Sequence, residues 1–161
     1  MRFHKGWTTH IPMLIKTIQC TSGPVLELGA GFFSTPLIHW LCAESRRKVV
    51  TCEEDEYYYL VARKFRSKTH SVVKISDWEK EIGRYADRLW SVIFIDHHQD
   101  YRVSSIKALK EHGIFFVLHD TNDPLYGYDQ IYHLFKYRYD WTFSVNYVTV
   151  LSNHCDLAWM I

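Results

Sequence analysis

The sequence predicts a three-layer α/β sandwich built on a mostly parallel seven-stranded sheet, with helices on both faces and an antiparallel C-terminal strand. Three observations predict it. Short apolar runs begin near residues 25, 48, 71, 91 and 114, and each is followed by a helical or charged segment. The runs are almost continuously apolar, as strands buried on both faces are. Near the end of the chain, two further strand-like stretches are separated only by Ser152-Asn153-His154-Cys155-Asp156. That is too short for a crossover helix, so this last pair should be antiparallel.

Taken in order, residues 1–6 read as a flexible arm. Ile11, Leu14, Ile15 and Ile18 recur at helical spacing, with Thr8 or Thr9 available as the N-cap. Gly23-Pro24 stops that helix and delivers the first strand, residues 25–28. A glycine turn follows and then an apolar helix over residues 34–42. The β-branched run at 48–52 is the second strand. Asp55 caps a helix that places Tyr58, Val61, Ala62 and Phe65 on one face. Residues 71–75 form the third strand, and the charged segment to about residue 88 is expected to be helical despite Gly83. Residues 91–95 form the most hydrophobic strand. A helix over 102–111 ends at His112-Gly113, read as its C-cap. Residues 114–118 are the fifth strand; a loop at 122–127 and a helix to about 136 follow. Residues 141–150 and 157–161 are the final strands. One domain spans residues 1–161, with an arm and helix over 1–22 and an α/β core over 23–161.

Composition narrows the function classes. The chain has 161 residues, 47% apolar and 23% charged, enough for one well-cored domain. A net charge of +1 gives no reason to expect a nucleic-acid partner, and the basic clusters are balanced by acidic runs such as Glu53-Glu54-Asp55-Glu56. No apolar stretch is long enough to span a membrane. Cys20, Cys42, Cys52 and Cys155 form no CxxC pair, which fits a reduced, cytoplasmic protein.

The chemistry concentrates at the C-terminal ends of the strands. Pro24-Val25-Leu26-Glu27-Leu28-Gly29-Ala30-Gly31 runs from a strand through two glycines towards a helix N-terminus. Such a turn gathers backbone N–H groups at one spot, where α/β proteins hold the polar part of a nucleotide-like cofactor. A tight turn without a ligand is the plain alternative. Glu53, Asp77, Asp96, His119 and Asp120 then follow successive strands, at the edge where open α/β sheets bind ligands.

This constellation resembles the class I S-adenosylmethionine-dependent methyltransferases, Rossmann-like α/β enzymes, over nearly the whole chain. Glu27, Gly29 and Gly31 match the family's first motif, and Glu53 the acid that takes the ribose hydroxyls. Ser76-Asp77-Trp78 falls where adenine is held. Ile95-Asp96-His97-His98, Arg102 and Leu118-His119-Asp120 look most like the branch of small O-methyltransferases that includes the catechol and caffeoyl-CoA enzymes. The resemblance implies S-adenosylmethionine bound by Glu27, Gly29, Ala30, Gly31, Ser34, Glu53, Glu54, Ser76, Asp77, Trp78 and Asp96. It implies methyl transfer to a small acceptor, by O-methylation, with His97, His119 or Asp120 handling the acceptor proton. His4-Lys5-Gly6-Trp7-Thr8 resembles the stretch that closes over the cofactor.

Two departures stand out. Phe33 replaces the third glycine of the motif. Metal-dependent relatives use an Asp-Asn pair after the fifth strand. Here Asp120 is followed by Thr121, with Asn122 one place later, so a divalent metal is not favoured. Acceptor-recognising additions are nearly absent, which leaves the arm, the 122–127 loop or a second subunit in a homodimer to complete the acceptor pocket. The rival readings are a non-catalytic module that binds the cofactor or a partner, and an NAD(P)-dependent oxidoreductase. The oxidoreductase would call for a fingerprint closer to GxGxxG and a substrate domain.

For the single side chains, local structural roles are the alternatives. Asp96 can be the N-cap of the next helix, Trp78 a core residue, and His97 and His98 solvent-facing loop residues.

Overall fold

The computed structural model describes residues 5–160. The part of the expected arm at residues 1–4, and Ile161, lie outside the described residues. Lys5–Thr8 is a 3₁₀ turn with Gly6 buried, so this half of the expected arm is structured. Helix α1 is Ile11–Gln19. The repeats are β1 (Val25–Leu28) with α2 (Ser34–Ala43), β2 (Val49–Glu53) with α3 (Glu56–Ala62), and β3 (His70–Lys74) with α4 (Trp78–Glu81). They continue with β4 (Trp90–Ile95), α5 (Gln99–Leu109), β5 (Gly113–His119) and α6 (Asp129–Tyr132). Strands β6 (Tyr137–Trp141) and β7 (Val148–Ser152) close the sheet. Among the described residues, no helix is long and apolar enough to cross a membrane.

The seven strands lie in the order β3-β2-β1-β4-β5-β7-β6. All neighbours are parallel except β7, which is antiparallel to both β5 and β6. The order reverses between β1 and β4, the switch point at which such sheets open a crevice. Register then sets the site. Leu28 pairs with Cys52 on one side and Ile95 on the other, and Ile95 with Leu118. The residues that follow these positions therefore emerge side by side at one edge.

Strand alternation divides the core in two. Leu26, Leu28, Ile93, Ile95, Phe116 and Leu118 face Trp78, Trp90, Ile106 and Ile131 on one side of the sheet. Val25, Val92, Phe94, Val117 and Val150 face Met13, Leu14, Ile18 and Ile38 on the other. Each fully buried side chain of this size stabilises the fold by about 1.5–3 kcal/mol.

Several local expectations are corrected. Neither Thr8 nor Thr9 caps α1. His10 holds the cap position without a side-chain cap bond, and Thr9 instead donates to the Gly6 carbonyl. The charged segment after β3 is one α-turn followed by a 3₁₀ stretch, Ile82–Asp87. Asp96 does not cap α5; His98 does, accepting from the Asp100 N–H. That helix begins at Gln99, before the expected residue 102. Gly113 opens β5 instead of ending a helix; a Cβ there would press on Phe116 and Ile93. The helix expected to reach residue 136 is one turn, α6.

The last two strands lie earlier than expected, at 137–141 and 148–152 instead of 141–150 and 157–161. Tyr137-Arg138-Tyr139-Asp140-Trp141 alternates half-buried and exposed, as an edge strand does. The aromatic stretch after it is the connection, with Phe143 80% exposed. Leu157 and Met160 cover the core from a 3₁₀ turn, without joining the sheet.

Candidate active site

The turn after β1 requires glycine at residue 29. Its φ is +91°, and a Cβ would lie 2.5 Å from the His97 nitrogen and still closer to the Asp96 carbonyl. Only a residue without a side chain lets the β1 and β4 loops meet at the switch point. The Ala30 N–H donates to Glu53 Oε2 at 2.6 Å, and the Asp55 N–H to Glu53 Oε1 at 2.6 Å. Glu53 thus ties the glycine turn to the loop after β2. The Gly31 N–H is held by Thr35 Oγ1 at 3.1 Å.

Above this turn lies a cleft of about 450 Å³. One wall is Ala30, Gly31, Phe32, Phe33 and Ser34 with Glu53, Asp55 and Tyr58. The floor is Asp96, His97 and Arg102. The far wall is His119, Asp120, Tyr126 and Asn146, with Trp7 and His10 from the N-terminal turn. Trp7 stacks at 6.4 Å on Phe32.

Glu27 lies beneath the turn at 0% exposure. Its Oε2 accepts from Thr51 Oγ1 at 2.6 Å, while Oε1 has no hydrogen-bond partner. Burial pushes its pKa up to about 7, against the pull of the Ser34, Thr51 and Thr35 hydroxyls. Thr51 spends its only proton on Glu27, so the His70 Nε2–H must donate to Thr51 across 2.8 Å. His70 Nδ1 then accepts from His39 Nδ1 at 3.1 Å. A chain of hydrogen bonds thus runs from α2 to the buried acid.

The far end is a charge cluster. Arg102 is buried; its guanidinium meets Asp96 Oδ1 at 3.0 Å and Asp120 Oδ2 at 3.8 Å. It also donates to the His97 carbonyl at 2.6 Å and the His119 carbonyl at 3.1 Å, which braces the ends of β4 and β5. His119 Nδ1 lies 3.1 Å from Asp96 Oδ1 and 3.4 Å from Asp120 Oδ2. Burial would raise the pKa of Asp96, but His119 and Arg102 outweigh it and bring it down to about 2. Burial likewise pulls His119 down, and the two carboxylates more than reverse that. Asp120 has φ +60°, a left-handed conformation that Asp tolerates better than most residues. Tyr126 and Asn146 donate to its carboxylate.

Of the residues singled out in the sequence, Ala30, Gly31, Ser34, Glu53, Asp96, His97, His119 and Asp120 come together at the cleft. Glu27 and Gly29 do not line it: Glu27 is buried against Thr51, and Gly29 packs on the backbone at Asp96 and His97. Glu54, Ser76, Asp77 and Trp78 are not among its lining residues. The Glu54 carbonyl accepts from Lys74 Nζ at 2.5 Å. Ser76 bonds Glu81, Asp77 caps α4, and Trp78 is 2% exposed with its ring 4.3 Å from His97. The His97 ring is tied to Ser105 Oγ at 3.0 Å, and burial lowers its pKa to about 3.

Sequence reasoning missed His10, Tyr126 and Asn146, and did not place Arg102 in the site. The polar run Thr8-Thr9-His10 before an apolar helix was the available signal for His10. Nothing local marks Asn146, 26 residues from Asp120.

The oxygen ligand set of the metal-dependent relatives does not fit. Thr149 gives its one hydroxyl proton to Asp140, so Thr121 Oγ1 donates to Thr149 at 2.9 Å, and Asn122 Oδ1 accepts from the Tyr147 N–H. The Arg102 guanidinium already lies against both carboxylates. A hard cation that needs six or more oxygens finds too few here.

No protein-family profile matches the sequence, and no curated protein matches it. Solved structures do. The O-methyltransferase from Bacillus cereus, in complex with SAH, aligns at a TM-score of 0.65 with 17% identity, over 90% of this chain and 80% of that one. Cofactor-bound Rv0187 from MTB aligns at 0.69 with 15% identity, over 95% and 83%. Human methyltransferase-like protein 13 in complex with SAH aligns at 0.64 with 17% identity, over 96% and 83%. The chain therefore shares the fold of these methyltransferases, and its own sheet is of the Rossmann-like α/β type.

Proposed function

We propose that the protein transfers a methyl group from S-adenosylmethionine to a small acceptor, by O-methylation. The observation that carries this reading is the charge of the cofactor half of the cleft. Glu53, Asp55 and Asp96 line it, and the one buried cation on the floor, Arg102, is bonded to Asp96. A sulfonium nucleoside gains from these carboxylates, whereas the diphosphate of NAD(P) would be repelled by them. That favours the methyltransferase reading over the oxidoreductase.

In this reading the acceptor oxygen forms a bond to the methyl carbon as the C–S bond breaks, and the sulfonium becomes a thioether. The sulfonium already activates the methyl, so the protein mainly supplies alignment. Glu53 takes the ribose hydroxyls, and the Gly29–Gly31 turn seats the amino-acid end. Asp120, with His119 beside it, receives the proton of a hydroxyl acceptor. Lys5–Thr8, carrying Trp7 against Phe32, covers the cleft. The four cysteines form no disulfide, which suits a cytoplasmic protein.

Calorimetry tests the cofactor directly. S-adenosylhomocysteine should bind, NAD should not, and Glu53→Ala should abolish the binding. A preference for NAD would sink the proposal. Methyl transfer from labelled S-adenosylmethionine across hydroxyl, amine and carboxyl acceptors tests the reaction. Binding without turnover across that screen would identify a non-catalytic module.

A further inference from the structure

His10 is a buried histidine with nothing to bond. It is 3% exposed, and neither ring nitrogen has a hydrogen-bond partner. Its ring meets His119 edge-on, with centroids 4.9 Å apart, at the far wall of the cleft. A buried polar group left this way is costly, so a partner is missing.

His119 poses a complementary problem. Its Nε2 lies 2.9 Å from Thr9 Oγ1 and 3.1 Å from the Gly6 carbonyl; Thr9 gives its one proton to that carbonyl, so both oxygens face Nε2 as acceptors and Nε2 carries the hydrogen. That leaves Nδ1 facing Asp96 Oδ1 at 3.1 Å and Asp120 Oδ2 at 3.4 Å. A bare nitrogen lone pair aimed at two carboxylates needs a positive charge between them. Arg102 compensates only one of the two acids. A proton on His119 would fill the gap but would leave His10 unsatisfied. A metal ion supplies the missing positive charge and gives one of the two His10 ring nitrogens a partner.

We propose that His10, His119 and Asp96 form a binding site for a divalent transition metal. Their donor atoms all lie within 4.8 Å of one another. Two imidazoles and one carboxylate select ions of the Zn²⁺, Fe²⁺ or Co²⁺ type over Mg²⁺ and Ca²⁺. This is not the oxygen set that failed to fit above: two of its three ligands are nitrogens, and one comes from the N-terminal turn. The outer contacts are of the kind that orient metal ligands. The His119 Nε2–H is fixed by the Gly6 carbonyl, and Arg102 holds the Asp96 carboxylate. The site shares Asp96 and His119 with the cleft described above, but its test reads metal binding alone and so is decided separately from the methyltransferase reading.

Titrating the full-length, metal-stripped protein with Co²⁺, Zn²⁺ and Mg²⁺ separately tests it, by calorimetry and by the visible absorption of cobalt. One Co²⁺ or Zn²⁺ should bind per chain, with the cobalt bands of nitrogen-containing coordination, and Mg²⁺ should bind far more weakly. His10→Phe, which suits the neighbouring Phe94, should weaken Co²⁺ binding by about 100-fold or more. Nitrogen NMR of the unsubstituted protein gives a second measurement that needs no variant: Zn²⁺ should shift the ring nitrogens of His10 and His119. Absence of stoichiometric Co²⁺ or Zn²⁺ binding would overturn the proposal. So would equal affinity for Mg²⁺, or Zn²⁺ binding that leaves both imidazoles unmoved.

Discussion

Glu27→Gln is expected to raise stability at neutral pH while weakening the hold on a cationic cofactor. The acid is fully buried, with one oxygen bonded to Thr51 and the other to nothing. Burial lifts its pKa from 4.5 to about 7. The fold therefore disfavours the ionised form by about 3 kcal/mol, at ~1.4 kcal/mol per tenfold change in proton affinity. The sign follows from the raised value. The contribution is complete below about pH 4.5 and is lost as pH rises through about 7. His10, His70 and His97 act in the opposite sense. Burial lowers their pKa values to about 4, 4 and 3, so they favour the fold above pH 6.5 and cost it stability as pH falls. The wild-type pH profile alone would mix the two. The difference between wild type and Glu27→Gln isolates the acid. Urea denaturation at pH 5 and pH 8 should show the variant gaining about 2.5 kcal/mol on the wild type between the two, the rest having appeared below pH 5. A difference that stays flat over this range would refute the burial argument. A sulfonium placed above Glu27 should also drive its ionisation. S-adenosylhomocysteine lacks that charge, so near pH 6 only S-adenosylmethionine should release close to one proton on binding, read by calorimetry in buffers of different ionisation heat.

Two further perturbations probe the frame of the cleft. Gly29→Ala forces a side chain into a positive-φ position against the backbone at Asp96 and His97, and should cost about 2–4 kcal/mol in denaturant unfolding. Arg102→Met leaves Asp96 and Asp120 without their buried cation; a loss of about 3–5 kcal/mol at pH 7 should appear in thermal melts.

What could be read from the chain was what local pattern controls. The apolar runs of β1, β4 and β5 announce strands because both of their faces are buried. The glycine turn, Glu53 and Asp96 are marked by their positions just after such runs. Local pattern failed where the chain is half-exposed. Residues 142–147 are aromatic and β-branched enough to mimic a strand, yet they form the connection at the edge of the sheet. At His112-Gly113, the glycine that resembled a helix stop is needed for close packing against Phe116 and Ile93.

By itself, the sequence determined the alternation of strands and helices through β5 and the set of acids at the strand ends, since each depends on residues within a few positions; the strand order and its switch point came from the pairing of β1 with β4. Tertiary structure decided which side chains share the cleft. Packing of α1 across the sheet brings His10 onto His119, and the β7 connection brings Asn146 onto Asp120. Strand register places His70 and Thr51 in a line that ends on Glu27. The same packing removes water from Glu27, Asp96 and His10 and moves their proton affinities in different directions. Desolvation and pairing are properties of neighbours in space, and the spacing of residues along the chain does not contain them.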